Sequence, residues 1–156
     1  MYQKILVPLD GSELAECVLP HVESIAKGCG VQSVILLRVI EPFHSPISGD
    51  DGGGPSEEDM KSFNSQNRAE AESYLSQLAG QVKYDGAVIQ SEVIFGKAAE
   101  SIAEYATKNQ VDLIAIASHG RSGVSRWVWG SVADRVLRSA CVPVLVVRAP
   151  GCVPSF

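Results

Sequence analysis

The chain has 156 residues, of which 46% are hydrophobic and 20% charged, so it is long enough for one globular domain with a full core. A formal net charge of −5 and a pI near 5.1 argue against a sequence-independent nucleic-acid surface, which needs massed basic residues. No run approaches the roughly twenty apolar residues of a membrane span, and the scattered cysteines form no metal-ligand pattern, so we expect a cytoplasmic protein.

Apolar runs that end in turn residues alternate with segments of helical spacing. The runs predict strands at 4–9, 33–40, 87–94, 111–117 and 142–147, and a helix is predicted after each of the first four. In the first helix an apolar face that includes His21 extends from Leu14 to Ile25, with Pro20 in the middle. A proline there removes one backbone hydrogen bond, so we expect a kinked helix.

The segment 41–56 is rich in proline, glycine and aspartate and has no hydrophobic period. It predicts a flexible loop, which is either a lid that closes over a ligand or plain disorder. Ser56 then reads as the cap of a long second helix, whose core face is predicted to begin at Phe63. The fourth helix is predicted to pack through Val132, Val136 and Leu137.

The order of elements predicts the architecture. Strands that alternate with helices form a parallel sheet, and right-handed crossovers then place helices on both of its faces. We expect an α/β fold of the doubly wound, flavodoxin-like or Rossmann-like type, with five parallel strands in the order 3-2-1-4-5. Ligands of such sheets bind beyond the carboxyl ends of the strands where the winding reverses, here between the first and fourth strands.

The loop after the fourth strand is the strongest functional signal. Gly120 and Gly123 allow the backbone to approach a ligand closely, and Gly130, Ser131 and Val132 would present unpaired N–H groups at the start of a helix. Such a place attracts anions, phosphates above all. The alternative is purely structural, since any doubly wound domain needs glycines after its strands.

Asp10 ends the first strand and is predicted to lie across the crevice from this loop. Its carboxylate can accept hydrogen bonds from ribose hydroxyls or from the amino group of adenine, which suits a nucleotide. The alternative is a plain turn or helix-cap role.

Four stretches carry a family resemblance that spans nearly the whole chain: 7–12, 118–123, 130–133 and 142–147. In order and spacing they resemble the universal stress protein family. Its ATP-binding branch carries a glycine, two residues, a second glycine, nine residues, then glycine and Ser or Thr. Gly120, Gly130 and Ser131 match that pattern, whereas the first glycine position is Ala117; we expect the pocket to survive the added methyl group.

The resemblance implies the roles of individual residues. The backbone of Val39 would contact adenine, Pro8 and Asp10 would line the base and ribose, and the phosphates would lie against Gly120 and the start of the fourth helix. The candidate site comprises Pro8, Leu9, Asp10, Val39, Ala117, His119, Gly120, Arg121, Gly123, Gly130, Ser131 and Val132. The implied ligand is ATP or another adenine nucleotide, with Mg²⁺ or Mn²⁺ bridging the phosphates.

No residue set matches a conventional enzyme, since the Walker, nucleophile-elbow and His-Glu-x-x-His motifs are absent from the sequence. The resemblance implies a stress-response signalling module that binds ATP. Three alternatives stay open: slow ATP hydrolysis assisted by Ser131, His119 and Arg121, a dimeric interaction protein without nucleotide, and a flavin carrier. The flavin carrier is the weakest, because the segment 10–13 is too short and acidic for its phosphate loop.

The last strand predicts an interface. The stretch 142–147 is almost wholly apolar yet lies at a sheet edge in the expected order, with Arg148 the charged residue next to it. We expect a homodimer joined through Val142 to Val147, which the family resemblance also implies; the alternative is that the tail 149–156 covers the edge. The domain is predicted to comprise 1–148.

Overall fold

The computed structural model of the protein describes residues 2–42, 56–84, 86–118 and 130–149. Strands and helices alternate along these residues. The elements are β1 (Lys4–Pro8), α1 (Glu13–Glu16), α2 (Leu19–Cys29), β2 (Ser33–Ile40), α3 (Glu57–Gln81), β3 (Val88–Phe95), α4 (Ala98–Lys108), β4 (Leu113–Ala117), α5 (Ser131–Ser139) and β5 (Val144–Val147).

The five strands form one parallel sheet in the order β3-β2-β1-β4-β5. This confirms the predicted doubly wound fold and its strand order. β1 lies in the centre between β2 and β4, and both β1 and β4 are almost wholly buried, as strands covered on two faces are. β3 lies at one edge, and most of its side chains are accessible to solvent.

The helices cover the two faces of the sheet in chain order. Ile5 and Val7 of β1 belong to a core with α1, α2 and α3, whereas Leu6 points to the opposite face and packs in a core with α4 and α5. The chain therefore winds outward from β1 to β3 and then returns to wind the other way through β4 and β5. This reversal opens a crevice at the carboxyl ends of β1 and β4.

The first helix differs from the sequence prediction. α1 is a single turn, and a separate helix, α2, begins at Leu19 with Pro20 in its first turn. The prediction of one helix kinked in its middle is therefore wrong. The reason is that a first-turn residue has no intrahelical partner for its N–H, so proline costs nothing there. His21 is exposed and does not belong to a packed face.

Two predicted core faces are also partly wrong. Phe63 of α3 is 49% exposed, while Ala71, Leu75 and Leu78 are buried. A helix of 25 residues is ~37 Å long at 1.5 Å per residue, so its first half extends beyond the strands it covers. In α5, Val136 is buried as predicted, but Val132 and Leu137 are exposed.

Two further features concern the segments between elements. Ser56 caps α3 as predicted, and it forms a capping box with Asp59. The predicted flexible loop lies, for residues 43–55, outside the described residues.

No helix of the described ranges combines the length and apolar character needed to cross a lipid bilayer.

The N-terminal end of the sheet is tied together by one carboxylate. Asp112, which precedes β4, accepts hydrogen bonds from the backbone N–H groups of Gln3 and Lys4, both at 2.8 Å. These two hydrogen bonds hold the pKa of the Asp112 carboxyl below its ordinary value. A depressed pKa in the folded state means that the carboxylate stabilises the fold above the unfolded pKa of about 3.9, and that this stabilisation is lost as the pH falls further.

We therefore expect Asp112→Ala to lower the free energy of unfolding at pH 7 by about 1 kcal/mol, a figure that allows for the partial exposure of the group. The difference from the parent protein should shrink as the pH falls below about 4. Urea denaturation between pH 3 and pH 7 measures both. Glu72→Ala, which removes an exposed carboxylate paired with Arg68, is the control and should change stability by less than ~0.5 kcal/mol. A pH-independent loss in Asp112→Ala would contradict the assignment.

Candidate functional site

A cavity of about 240 Å³ lies at the carboxyl ends of β1 and β4, where the winding reverses. Its walls come from the ends of β1, β2 and β4, from α1, from the first two turns of α4 and from the first turn of α5. The residues that were predicted from the sequence and line this cavity are Pro8, Leu9, Asp10, Val39, Ala117, Gly130, Ser131 and Val132. The residues that line it without having been predicted are Ala15, Leu37, Ala98, Ile102, Ile116, Ser118 and Ala133.

Four predicted site residues, His119, Gly120, Arg121 and Gly123, lie outside the described residues. Both flanks of their segment are described and lie next to each other. The N–H of Gly130 donates to the carbonyl oxygen of Ser118 at 2.8 Å, so the end of β4 and the start of α5 meet at the cavity.

Ser118 is a structural residue of the site that the sequence reading treated only as part of a motif. It is 3% exposed, its N–H donates to Val147 at 2.7 Å, and its hydroxyl accepts the N–H of Ala149 at 3.2 Å. It therefore connects β4, β5 and α5 below the cavity. A serine that directly follows a fully apolar strand was the available signal, because such a polar side chain needs partners when it is buried.

One wall of the cavity is apolar and includes Leu37, Ile102 and Ile116. The backbone of Val39 borders it. Leu37 accepts from Leu9 of β1, and Ile40 accepts from Gly96 beyond β3, so odd-numbered residues of β2 direct their backbone groups toward β1. Val39 has the same parity as Leu37 and lies past the end of β1. Its N–H and C=O therefore point toward the cavity.

The opposite end of the cavity is the first turn of α5. Gly130 is the N-cap with an ordinary φ of −53°, and among the described residues no side chain caps the helix there. Ser131 and Val132 are exposed at the cavity wall. The first N–H groups of a helix have no intrahelical acceptor and carry the positive end of the helix dipole, so this turn favours an anion.

Asp10 takes part in the turn that follows β1. Its Oδ1 accepts from the N–H of Ser12 at 3.0 Å and from the Ser12 hydroxyl at 2.6 Å. Ser12 in turn accepts the N–H of Ala15 and so caps α1. The structural role considered for Asp10 is thus present, and the same residue also lines the cavity.

A polar cluster lies behind this turn, on the α1–α3 face of the sheet. Tyr74 of α3 donates to Glu16 of α1 at 2.8 Å, and Arg38 donates to the carbonyl oxygen of Leu9 at 3.4 Å. Burial, then the hydrogen bond to Glu16, raise the pKa of Tyr74 well above its ordinary value. The Asp10 carboxylate adds to this rise in the pKa of Tyr74, and the Arg38 cation opposes it.

A metal ion at this site would have few protein ligands among the described residues. Within the described ranges no three His, Cys, Asp or Glu side chains come close enough together to hold one. Asp10 is the carboxylate among the cavity-lining residues. One carboxylate and a nearby serine hydroxyl match the usual Mg²⁺ arrangement in which phosphates and water supply the other ligands.

The sequence matches a known family and its members. The model of the universal stress protein family matches residues 1–148. Universal stress protein MJ0531 of Methanocaldococcus jannaschii is 31% identical over 151 residues, which cover 96% of this chain and 84% of that protein. Universal stress protein G of Salmonella typhimurium is also 31% identical, over 95% of this chain and all of its own.

Solved structures show the same fold. The structure of MJ0577 superposes with a TM-score of 0.80 at 29% identity and covers 97% of this chain and 99% of its own. Less similar structures at 14–24% identity, with TM-scores of 0.61–0.67, were solved with cAMP, with AMP (from Arabidopsis thaliana) and with dAMP (from Archaeoglobus fulgidus). The chain belongs to the universal stress protein family.

Proposed function

We propose that this protein binds ATP or another adenine nucleotide in the cavity and acts as a stress-response signalling module. The observation that carries the proposal is the pairing of two unlike ends in one cavity. The uncapped first turn of α5 suits phosphates, and the apolar wall beside the backbone of Val39 suits a flat base.

The base end favours adenine in particular. Adenine carries its amino donor beside a ring acceptor, a pattern that the C=O and N–H of Val39 can complement. Asp10 lines the same cavity, and its carboxylate would accept hydrogen bonds from ribose hydroxyls. The AMP, dAMP and cAMP complexes of distant relatives support an adenine nucleotide as the class of ligand, through the shared fold.

The phosphate end would include the loop residues His119, Gly120, Arg121 and Gly123 together with Ser131. Mg²⁺ or Mn²⁺ would accompany the phosphates, with the Asp10 carboxylate and the Ser131 hydroxyl as the protein groups nearest to it. The ion would neutralise phosphate charge; Asp10 and Ser131 would orient the nucleotide. The nucleotide-binding domain in this proposal comprises 1–148, with 149–156 as a tail.

We also propose a homodimer through β5. The carbonyl oxygens of Pro143 and Val147 accept hydrogen bonds from β4 and from the residue after it. The backbone N–H and C=O groups of the odd-numbered residues of β5 therefore point toward β4. Val144 and Val146 have the opposite parity, and their backbone groups face the outer edge of the sheet. A second copy of the strand, placed antiparallel about a two-fold axis, would pair with these groups, and Leu137, which is 45% exposed, adds apolar surface nearby.

The nucleotide proposal predicts the effect of a side chain at Gly130. Its φ is ordinary, so Gly130→Val should fold, but its side chain would stand at the cavity wall and block approach to the first turn of α5. We expect the parent protein to bind ATP with Mg²⁺ in calorimetry, and the variant to lose at least about 100-fold in affinity, or ~2.7 kcal/mol.

Gly28→Val is the matched control, because Gly28 lies in α2 with open space around its Cβ position. It should bind ATP like the parent protein. Absence of both heat and any rise in melting temperature with the parent protein at saturating ATP would contradict the proposal, since a ligand at a hundredfold excess over its Kd adds ~2.7 kcal/mol. Unfolding of Gly130→Val would indicate instead that this glycine is structural.

The dimer proposal predicts that Val146→Pro gives a folded monomer. Proline removes the N–H that faces the outer edge and leaves the hydrogen bonds to β4 in place. Light scattering at micromolar concentration should give twice the 16.6 kDa chain mass for the parent protein and one chain mass for the variant. The control is Ser91→Pro at an exposed position of the other edge strand, β3. Val88 and Gly96 donate inward to Gln32 and Ile40, so the N–H of Ser91 faces the outer edge and its loss should leave the dimer intact. A parent protein of one chain mass would disprove the dimer.

A further inference from the structure

Arg38 is an unexpected residue for its position in β2. Side chains alternate along this strand: Leu36 and Ile40 belong to the core beneath α1–α3, whereas Leu37 and Val39 point to the opposite face and the cavity. Arg38 therefore enters the α1–α3 face, where it is half-buried. A guanidinium that leaves water needs acceptors, so its contacts decide what it does.

Arg38 contacts the end of β1. The N–H of Leu9 donates to Leu37 at 2.8 Å, and the carbonyl oxygen of Leu9 accepts from Arg38 Nη1 at 3.4 Å. Two consecutive residues of β2 thus hold both backbone groups of Leu9. The first contact is the last backbone hydrogen bond between β1 and β2. The second is a side-chain hydrogen bond from Arg38.

The guanidinium also covers the next turn. Gly11 has a φ of +81°, and a Cβ at that position would lie 3.5 Å from Arg38 Nη1 and 3.8 Å from its Cζ. The planar group therefore lies beside Gly11, at van der Waals distance from the place where a side chain would begin. Asp10 lies between the two contacted residues, Leu9 and Gly11, and its carboxylate is turned to Ser12 and the cavity wall.

We infer that Arg38 is a positioning residue for the nucleotide: from the far face of the sheet it fixes the turn 9–11 and thereby the place of Asp10 in the cavity. The inference rests on the proposed nucleotide binding and adds a residue that does not line the cavity. Arg38 acts through Asp10, so its contribution to affinity should depend on that carboxylate.

The test is a double-mutant cycle on ATP affinity, measured by calorimetry with Mg²⁺. Arg38→Met keeps the length of the side chain and removes the donors, and we expect it to weaken binding about tenfold. In an Asp10→Asn background the same change should weaken binding less than about twofold, because contributions that share one path are not additive. Arg68→Met, which removes an exposed cation on α3, should leave the affinity unchanged.

A second measurement needs no nucleotide. Amide NMR shifts of residues 9–12 should change in unliganded Arg38→Met and not in Arg68→Met, whereas Arg38→Lys, which keeps a donor, should give smaller changes and serves if the methionine variant does not fold. Wild-type affinity in Arg38→Met, an equal loss in the Asp10→Asn background, or unchanged amides at 9–12 would each overturn the inference. The parent protein could also bind no nucleotide while these amide shifts still change in Arg38→Met. That result would refute the proposed function and would show that Arg38 only stabilises the turn.

Discussion

The structure depends on the reversal of winding between β1 and β4. In a parallel sheet every inner strand is paired on both sides, but the chain leaves β1 in one direction and leaves β4 in the other. The described parts of the two crossovers therefore lead away from each other, and backbone groups and helix starts converge on the cavity between the carboxyl ends of β1 and β4. The cavity, Asp10 and the first turn of α5 all lie at this gap as a direct consequence.

Beside its apolar wall, the site presents backbone groups at a strand end and at a helix start. Val39 contributes strand groups past the end of β1, and the start of α5 contributes helix N–H groups. Such groups are rigidly held by the elements that carry them, so they can bind a ligand with little loss of conformational freedom. This explains how a wall to which the described residues contribute one carboxylate, Asp10, could suit the phosphorylated ligand that we propose.

Two polar side chains, Ser118 in the cavity wall and Arg38 on the opposite face of the sheet, hold the edges of the gap in place. Ser118 joins β4 to β5 and α5 through three hydrogen bonds of its backbone and hydroxyl, and Arg38 contacts the turn after β1 from the opposite face. Both residues follow or interrupt apolar strands, where burial of a polar group is costly unless it is bonded. The hydrogen bonds of Ser118 and Arg38 offset the cost of burying these polar side chains. The same bonds fix the two chain segments that border the site.

The sequence by itself determined the strands, their order and the place of the crevice, because apolar runs, helical spacing and right-handed crossovers depend on local pattern and chirality. It also indicated Asp10 and Ser131 as residues of one site, to which the family resemblance added Val39. Only the tertiary structure decided which parts of a helix contact the sheet. α3 extends beyond the strands, so Phe63 is exposed. α2 begins at Leu19 as a separate helix, so Pro20 lies in its first turn and breaks no hydrogen bond. Likewise only the fold shows that Arg38 reaches Leu9 and Gly11, since a contact across 29 positions depends on the register of β1 against β2 and not on any local pattern.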